Sequence, residues 1–271
     1  MMRSLWTAAS GMTSQQLNVD TISNNIANVN TTGFKQERLE FKSLLYQTMQ
    51  RATLDANDTG RPVNLQVGHG VRPIVSSRVF TNGSMETTDN PLDFYLQGQG
   101  FFTIDRGDGD IVYTKDGNFK ISITDGESQI VTSEGYAVLD TDGEPVTIPE
   151  NVLMSDVTVD SDGNITYIDE DGVTQDTGVR FGVVQFPNTQ GLEAIGNNFY
   201  TTTPASGDAL SEADGDTSTT SRIVQGCLEM SNVNVANEMV KLIIAQRAYE
   251  LNSKAIQTSD DMLQQASNLK R

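Results

Sequence analysis

The chain has 271 residues, 36 acidic and 18 basic side chains, a formal net charge of −18 and an aromatic content of only 7%. That charge argues against nucleic-acid binding through phosphate neutralisation. A single cysteine, Cys227, and a single histidine, His69, exclude an internal disulfide framework, a cysteine-cluster zinc site and a paired-histidine metal site.

The first element in chain order is a helix predicted over about 4–29, with Ser4 as its N-cap. Leu5, Met12, Val19 and Ile26 recur every seven residues, and Ala8, Gln15, Ile22 and Val29 form a companion row. This is an a/d seam with one polar position. Gly33 closes the segment, because a glycine tolerates the positive φ of a helix C-terminal turn. The opening residues lack a basic region followed by an apolar run and a small-residue cleavage site, so no ordinary secretory signal is expected. No apolar stretch approaches the length needed to span a bilayer, and no membrane insertion is expected.

Residues 34–85 read as an extended connector, polar and poorly periodic from Gln47 to Arg72. A β-rich domain is expected over 86–202. Phe101–Ile104, Ile111–Tyr113, Phe119–Ile123, Val157–Val159, Ile165–Ile168 and Phe181–Phe186 are strand-like, and Asp-Gly pairs beginning at Asp108, Asp116, Asp125, Asp142, Asp162 and Asp171 punctuate them at hairpin spacing. The absence of strand–helix alternation disfavours a parallel α/β fold. All seven prolines lie between Pro62 and Pro204, and no glycine follows Gly226. Residues 203–227 are rich in Ser, Thr, Asp and Gly through Ser221 and read as a linker. A second long helix is predicted from an Asn234 N-cap to about Ala266. Val235, Leu242, Tyr249, Ile256 and Leu263 again recur every seven residues, beside the small or polar Ala245, Asn252, Ser259 and Ala266. The fold class is therefore α+β: long N- and C-terminal helices pair in a coiled-coil-like domain around a β-rich centre.

Several motifs have plainer explanations than the chemistry they suggest. The segments Asp140–Gly143 and Asp160–Asn164 do not provide both the Gly and the Glu that a calcium loop needs, and read as hairpin turns. Arg106-Gly107-Asp108 falls in a hairpin, where a match to an adhesion tripeptide is fortuitous. Gly98-Gln99-Gly100 lacks the third glycine and the following helix of a dinucleotide loop. His69 reads as a loop residue, and Cys227 as a reduced, partly buried small residue. Catalytic, cofactor and metal sites are all expected to be absent.

Ser23-Asn24-Asn25-Ile26-Ala27-Asn28-Val29-Asn30-Thr31-Thr32-Gly33-Phe34 resembles the N-terminal signature of bacterial flagellar rod and hook proteins. Ser231–Val235, Met239-Val240, Ala245–Glu250 and Ala255–Thr258 resemble their C-terminal signature, and Leu96–Phe102 resembles the start of their β domain. The opening Met1–Met12, with Gly191–Ala194 and Asn268–Arg271, is most similar to distal-rod members. The resemblance implies a non-enzymatic subunit of the basal-body distal rod, a hollow helical drive shaft around the export channel. In it, terminal helices line an inner tube and β domains lie outside. It also implies homo-oligomerisation, neighbouring proximal rod and hook or hook-junction subunits, and bushing rings if an outer membrane is present. Export would use the flagellar type III apparatus without a cleaved signal, to a basal body crossing the cell envelope. Alternatives are a proximal rod or short hook subunit, or a secreted β-domain glycan-binding protein or enzyme.

The expected assembly interface comprises Leu5, Met12, Val19, Ile22, Asn24, Asn25, Ile26, Asn28 and Val29 in the N-terminal segment 1–33. In the C-terminal segment 228–271 it comprises Val235, Leu242, Ala245, Tyr249, Asn252, Ile256 and Leu263. For the asparagines the role expected is hydrogen bonding to a neighbour or to the lumen, against helix termination as the simpler reading. The family's Phe-x-x-x-apolar export-gate pattern is met by Phe41 and Leu45, as it would be by many helical i, i+4 pairs. Charge follows the same partition: residues 86–180 carry net −17, residues 1–85 net +3 and residues 228–271 net zero.

Overall fold

The computed structural model describes residues 2–52, 63–107, 109–124, 127–149, 157–168, 174–213, 215 and 219–268. The chain divides into two compact units. Unit 1 holds 1–27, 37–77 and 234–271, and unit 2 holds 28–36 and 78–233.

Unit 1 contains helix α1 (Met2–Ala27), strands β1 (Glu37–Ser43), β2 (Gln47–Gln50), β3 (Leu65–Val67) and β4 (Val71–Arg78), and the C-terminal helix Val235–Asn268, called α2. β1 pairs with β4, and β2 pairs antiparallel with β3. The expected connector thus carries strands. The alternating half-burial of Glu37, Leu39 and Phe41 along β1 is the period-2 pattern that the polar residues around it obscured. α1 starts and stops two residues earlier than expected. Ser4 is inside it rather than at its cap, with its hydroxyl 3.3 Å from Ser259 Oγ. Asn234 does cap α2: its Oδ1 accepts the Asn237 N–H at 3.1 Å. No helix among the described residues is long and apolar enough to cross a membrane.

Unit 2 opens with β5 (Met85–Thr87), β6 (Phe94–Gln97), β7 (Phe101–Asp105), β8 (Ile111–Thr114), β9 (Phe119–Thr124) and β10 (Glu127–Thr132). It continues through β11 (Ala137–Val138), β12 (Thr147–Ile148), β13 (Val157–Val159), β14 (Asn164–Ile168), β15 (Thr174–Arg180) and β16 (Val183–Gln185). β17 (Glu193–Gly196), β18 (Phe199–Thr201), β19 (Leu210–Ser211), β20 (Arg222–Gln225) and β21 (Cys227–Glu229) complete it.

The main sheet runs β12-β10-β11-β7-β8-β18-β17, with β9 on β10 and β16 on β7. β13, β14 and β15 form a separate three-stranded meander. Residues 203–227, expected as a linker, carry three strands. β19 pairs with β16, β20 with β6 and β21 with β5. The β20 and β21 pairings join residues more than 120 apart, so no local pattern announces them.

The core of unit 2 is rich in aromatic rings. Successive residues of β7 point to opposite faces, so Phe101 and Phe102 enter different clusters and both faces are covered. Phe102 meets Phe119 edge-on at 5.2 Å, and Phe94 meets Phe181 at 5.1 Å. Each such ring contributes about 1.5–3 kcal/mol by burial. The Asp-Gly turns at Asp142 and Asp162 close as expected, through Gly143 N–H to Asp140 O and Gly163 N–H to Asp160 O. Asp108, Asp125 and Asp171 lie outside the described residues. Asp116-Gly117 is not a hairpin. Gly117 lies against the Phe94 carbonyl, where a Cβ would sit 1.9 Å from the oxygen.

Candidate assembly surface

α1 and α2 run antiparallel against each other. Three contacts fix their alignment: Ser4 Oγ to Ser259 Oγ at 3.3 Å, Gly11 against the amide of Asn252, and Asn25 Nδ2 donating to Glu238 Oε2 at 3.1 Å. The residues on this seam are small or polar. Ala245, Ser259, Glu238 and Asn25 are buried, and Gly11 lacks the Cβ that would strike Asn252.

The sequence-predicted residues divide around this seam. Ile22 and Ala245 are buried. Leu5, Met12, Val19, Ile26, Leu242, Asn252, Ile256 and Leu263 are half-buried, whereas Val235 and Tyr249 are exposed. The apolar heptad rows therefore flank a polar centre. Asn28 and Val29 lie just beyond α1 in the turn, where Asn28 Oδ1 accepts from Thr31 Oγ1 at 3.2 Å. Asn24 is exposed.

Asn25 acts within the chain. Its Oδ1 accepts the Glu37 N–H at 2.9 Å, and its Nδ2 donates to the Glu37 carbonyl at 2.8 Å as well as to Glu238. The amide thereby joins the start of β1 to both helices. Glu238, whose other oxygen accepts from Lys241 Nζ at 2.6 Å, was not among the sequence-predicted residues. It sits one heptad before Ala245, so extending the small-residue row by seven would have reached it. Phe41 lies in β1 and Leu45 just after it, 89% exposed. They form no helical i, i+4 pair.

Apolar side chains are concentrated on the outside of unit 1. Of the twenty-two large apolar residues exposed among the described residues, seventeen belong to it; the other five are Met85, Ile111, Ile123, Ile168 and Ile195. Met239, Val240, Ile243, Ile244 and Leu251 form a stripe across α2 from the seam, given 100° of rotation per residue. Trp6 is 73% exposed on α1, and Tyr46 and Met49 are exposed beside and on β2. Sequence reasoning passed over the α2 stripe because it lies outside the heptad rows.

Unit 2 also holds buried charges. Lys35 Nζ donates to Glu229 Oε1 at 2.7 Å and to the Thr81 carbonyl at 3.0 Å, and the Gly83 N–H also reaches Glu229 Oε1, at 2.7 Å. Burial pushes the Lys35 amine down, against the opposing pull of Glu229. Lys115 donates to the Gly98 carbonyl at 2.7 Å and lies 5.2 Å from the Phe101 ring centre. Burial first, and then the positive charge of Lys35, lower its pKa to about 8, opposed by Glu229 and Glu212. Among the described residues no group of three or more His, Cys, Asp or Glu could hold a metal ion. Cys227 is buried in β21, with Sγ 3.9 Å from Thr87 Oγ1, and His69 lies in the loop between β3 and β4.

Three family profiles match the chain. One, described as flagella basal body rod protein, covers residues 5–35. The second, described as flagellar hook protein FlgE/F/G D1 domain, covers 95–167. The third, described as flagellar basal body rod FlgEFG protein C-terminal, covers 224–269. The chain is 47% identical over 273 residues to the flagellar basal-body rod protein FlgG of Borreliella burgdorferi, with 100% of each chain covered. It is 44% identical to the protein of the same name from Caulobacter vibrioides, covering 99% of this chain and 100% of that one. The figure for the Bacillus subtilis protein is 38%, with 100% of each covered.

Proposed function

The chain belongs to the flagellar basal-body rod protein family, and from that premise we propose that it is a distal rod subunit that polymerises with copies of itself through its terminal helices. The observation that carries this reading is the inverted helix pair of unit 1, small and polar where α1 meets α2 and apolar on the outside. A helix pair gains most of its stability from burying apolar surface. This one lacks such a core of its own and gains it when Val240, Ile243, Ile244 and Leu251 are covered by further copies. A shaft under torque suits this construction, because load is spread over many small side-chain contacts.

In this reading the helices form coiled-coil-like packing in a hollow helical polymer. The polymer encloses the export channel and meets proximal rod subunits at one end and hook or hook-junction subunits at the other. The chain reaches it through the type III export apparatus, with Phe41 and Leu45 read as a linear motif in an unfolded chain. It then lies in the basal body as it crosses the envelope, with bushing rings as neighbours where an outer membrane is present. The assembly role falls to the heptad residues from Leu5 to Ile26 and from Leu242 to Leu263. The chain has a mechanical role and no catalytic one.

The test is polymerisation of the purified full-length chain. Val240→Asp and Ile244→Asp change exposed positions and should leave the thermal transition of unit 2 unchanged while abolishing tubes seen by electron microscopy. Tubes formed by both variants at the parent's rate would overturn the proposal. In cells, deleting the gene should leave a short rod without a hook; a complete rod lacking only the hook would contradict the distal-rod assignment.

A further inference from the structure

The three contacts that align the α1–α2 seam share one property: in each pair the residue numbers add to 263, as 4 with 259, 11 with 252 and 25 with 238. They fall at heptad steps, and the intermediate step places Asn18 opposite Ala245. The apolar rows beside the seam cannot define this alignment. Leu5, Met12, Val19 and Ile26, like Leu242, Ile256 and Leu263, remain apolar against apolar if either helix slides by seven residues. The seam does discriminate. A slide in one direction brings Asn25 against Ala245, and in the other it carries Asn25 past the start of α2. Either way Asn25 loses Glu238, while its other two hydrogen bonds hold it to the backbone of Glu37.

We propose that Asn25 and Glu238 are positioning residues that set a single antiparallel register for the terminal helices, and so the alignment of the apolar stripe offered to the next copy. A buried polar pair is suited to this task. It contributes less stability than an apolar pair of the same volume, but every other register leaves it unsatisfied. Gly11 and the two serines let the helices approach closely enough for the pair to meet. The inference rests on the assembly reading for its consequence, though not for the register itself.

Register can be read by disulfide capture in the full-length chain carrying Cys227→Ser. Ser4→Cys is combined in turn with Ser259→Cys, Asn252→Cys or Ala266→Cys. Only the first pair is adjacent in the structure. The other two are displaced by one heptad, about 10 Å along the helix, which exceeds disulfide reach. The parent should cross-link 4 to 259 and leave 4–252 and 4–266 at background. In Asn25→Leu/Glu238→Leu the helices should persist by circular dichroism, one or both displaced pairs should rise to a yield comparable with 4–259, and polymer yield should fall. Asn25→Asp keeps the side-chain shape but sets a carboxylate against Glu238 and the Glu37 carbonyl; it should lose the 4–259 cross-link.

Exclusive 4–259 cross-linking in both variants would overturn the proposal, as would displaced cross-links in the parent. Because cross-linking is read in the chain whether or not tubes form, a parent that cross-links in register but never polymerises refutes the assembly reading alone.

Discussion

Lys35 Nζ lies 2.7 Å from Glu229 Oε1 with both side chains out of solvent, a buried ion pair joining the segment after α1 to the last strand of unit 2. Glu229 Oε1 also takes the Gly83 N–H, and its backbone carbonyl takes the Gly33 N–H at 2.8 Å. Removing only the cation leaves a buried carboxylate without its partner. Lys35→Met should therefore destabilise unit 2 by about 3–5 kcal/mol. Calorimetric unfolding of the full-length variant measures this, and a loss below about 1 kcal/mol would show that the pair is solvated.

Lys115 predicts a pH dependence of unusual sign. Its folded pKa is about 8, against the ordinary lysine value of 10.5. Between those values the unfolded chain binds more protons than the folded one, so this group's contribution to stability increases as pH rises from 8 to 10.5 and is lost as pH falls back through 8. Other groups titrate in the same range, so the measurement is a difference. The stability of the parent relative to Lys115→Met should grow from pH 8 to pH 10. A constant difference would mean that Lys115 stays solvated.

Gly11 separates helix propensity from helix approach. A Cβ there would lie 2.8 Å from Asn252 Nδ2, the movable end of a side chain. Gly11→Ala gains about 1 kcal/mol of helix propensity and displaces only that amide, so it should be close to neutral. Gly11→Leu should hold the helices apart and abolish polymerisation, while the thermal transition of unit 2 stays within about 0.5 kcal/mol of the parent. Normal tubes from the leucine variant would show that the helices do not meet at this position.

Charge makes a prediction for assembly. Residues 86–180 carry net −17 and residues 228–271 net zero, so repulsion between copies comes from unit 2 and not from α2. Raising ionic strength from about 0.05 to 0.5 M should accelerate polymerisation by screening that repulsion. Light scattering measures the rate, and slower assembly at high salt would place the attractive contacts among charges.

The helices were legible in the sequence because their rows repeat every seven residues and the Asn234 cap is a local signal. The β strands of the centre were legible where apolar runs meet Asp-Gly turns, as at Val157–Val159 and Asn164–Ile168. β20 and β21 were not, because their partners lie more than 120 residues away and they follow a polar stretch. Lys35 was invisible for a similar reason: nothing near it in the sequence indicates that Glu229 comes to meet it. At the helix pair the apolar rows were legible, and so was the small row beside them that admits a close neighbour. Leu242 and Ile256 flank the contact, and Glu238 and Ser259 occupy it. Helical periodicity identifies a face but cannot say whether the centre of that face is its apolar row or the small residues beside it.

The pairing of β5 with β21 and of β6 with β20 places the two ends of one long stretch side by side, with Thr87 opposite Cys227 and Gln97 opposite Arg222. Everything between them is a closed excursion: the chain leaves and returns at neighbouring points and packs back on its own base, where Phe94, Leu96 and Ile223 share a core with Phe102 and Phe119. An exposed turn within it, such as the one at Gly135 or Gly143 where a Cβ would meet nothing within 4 Å, can take an inserted domain whose termini lie a few ångströms apart. Insertion at such a turn is the natural way to decorate the chain while leaving its terminal helices unchanged.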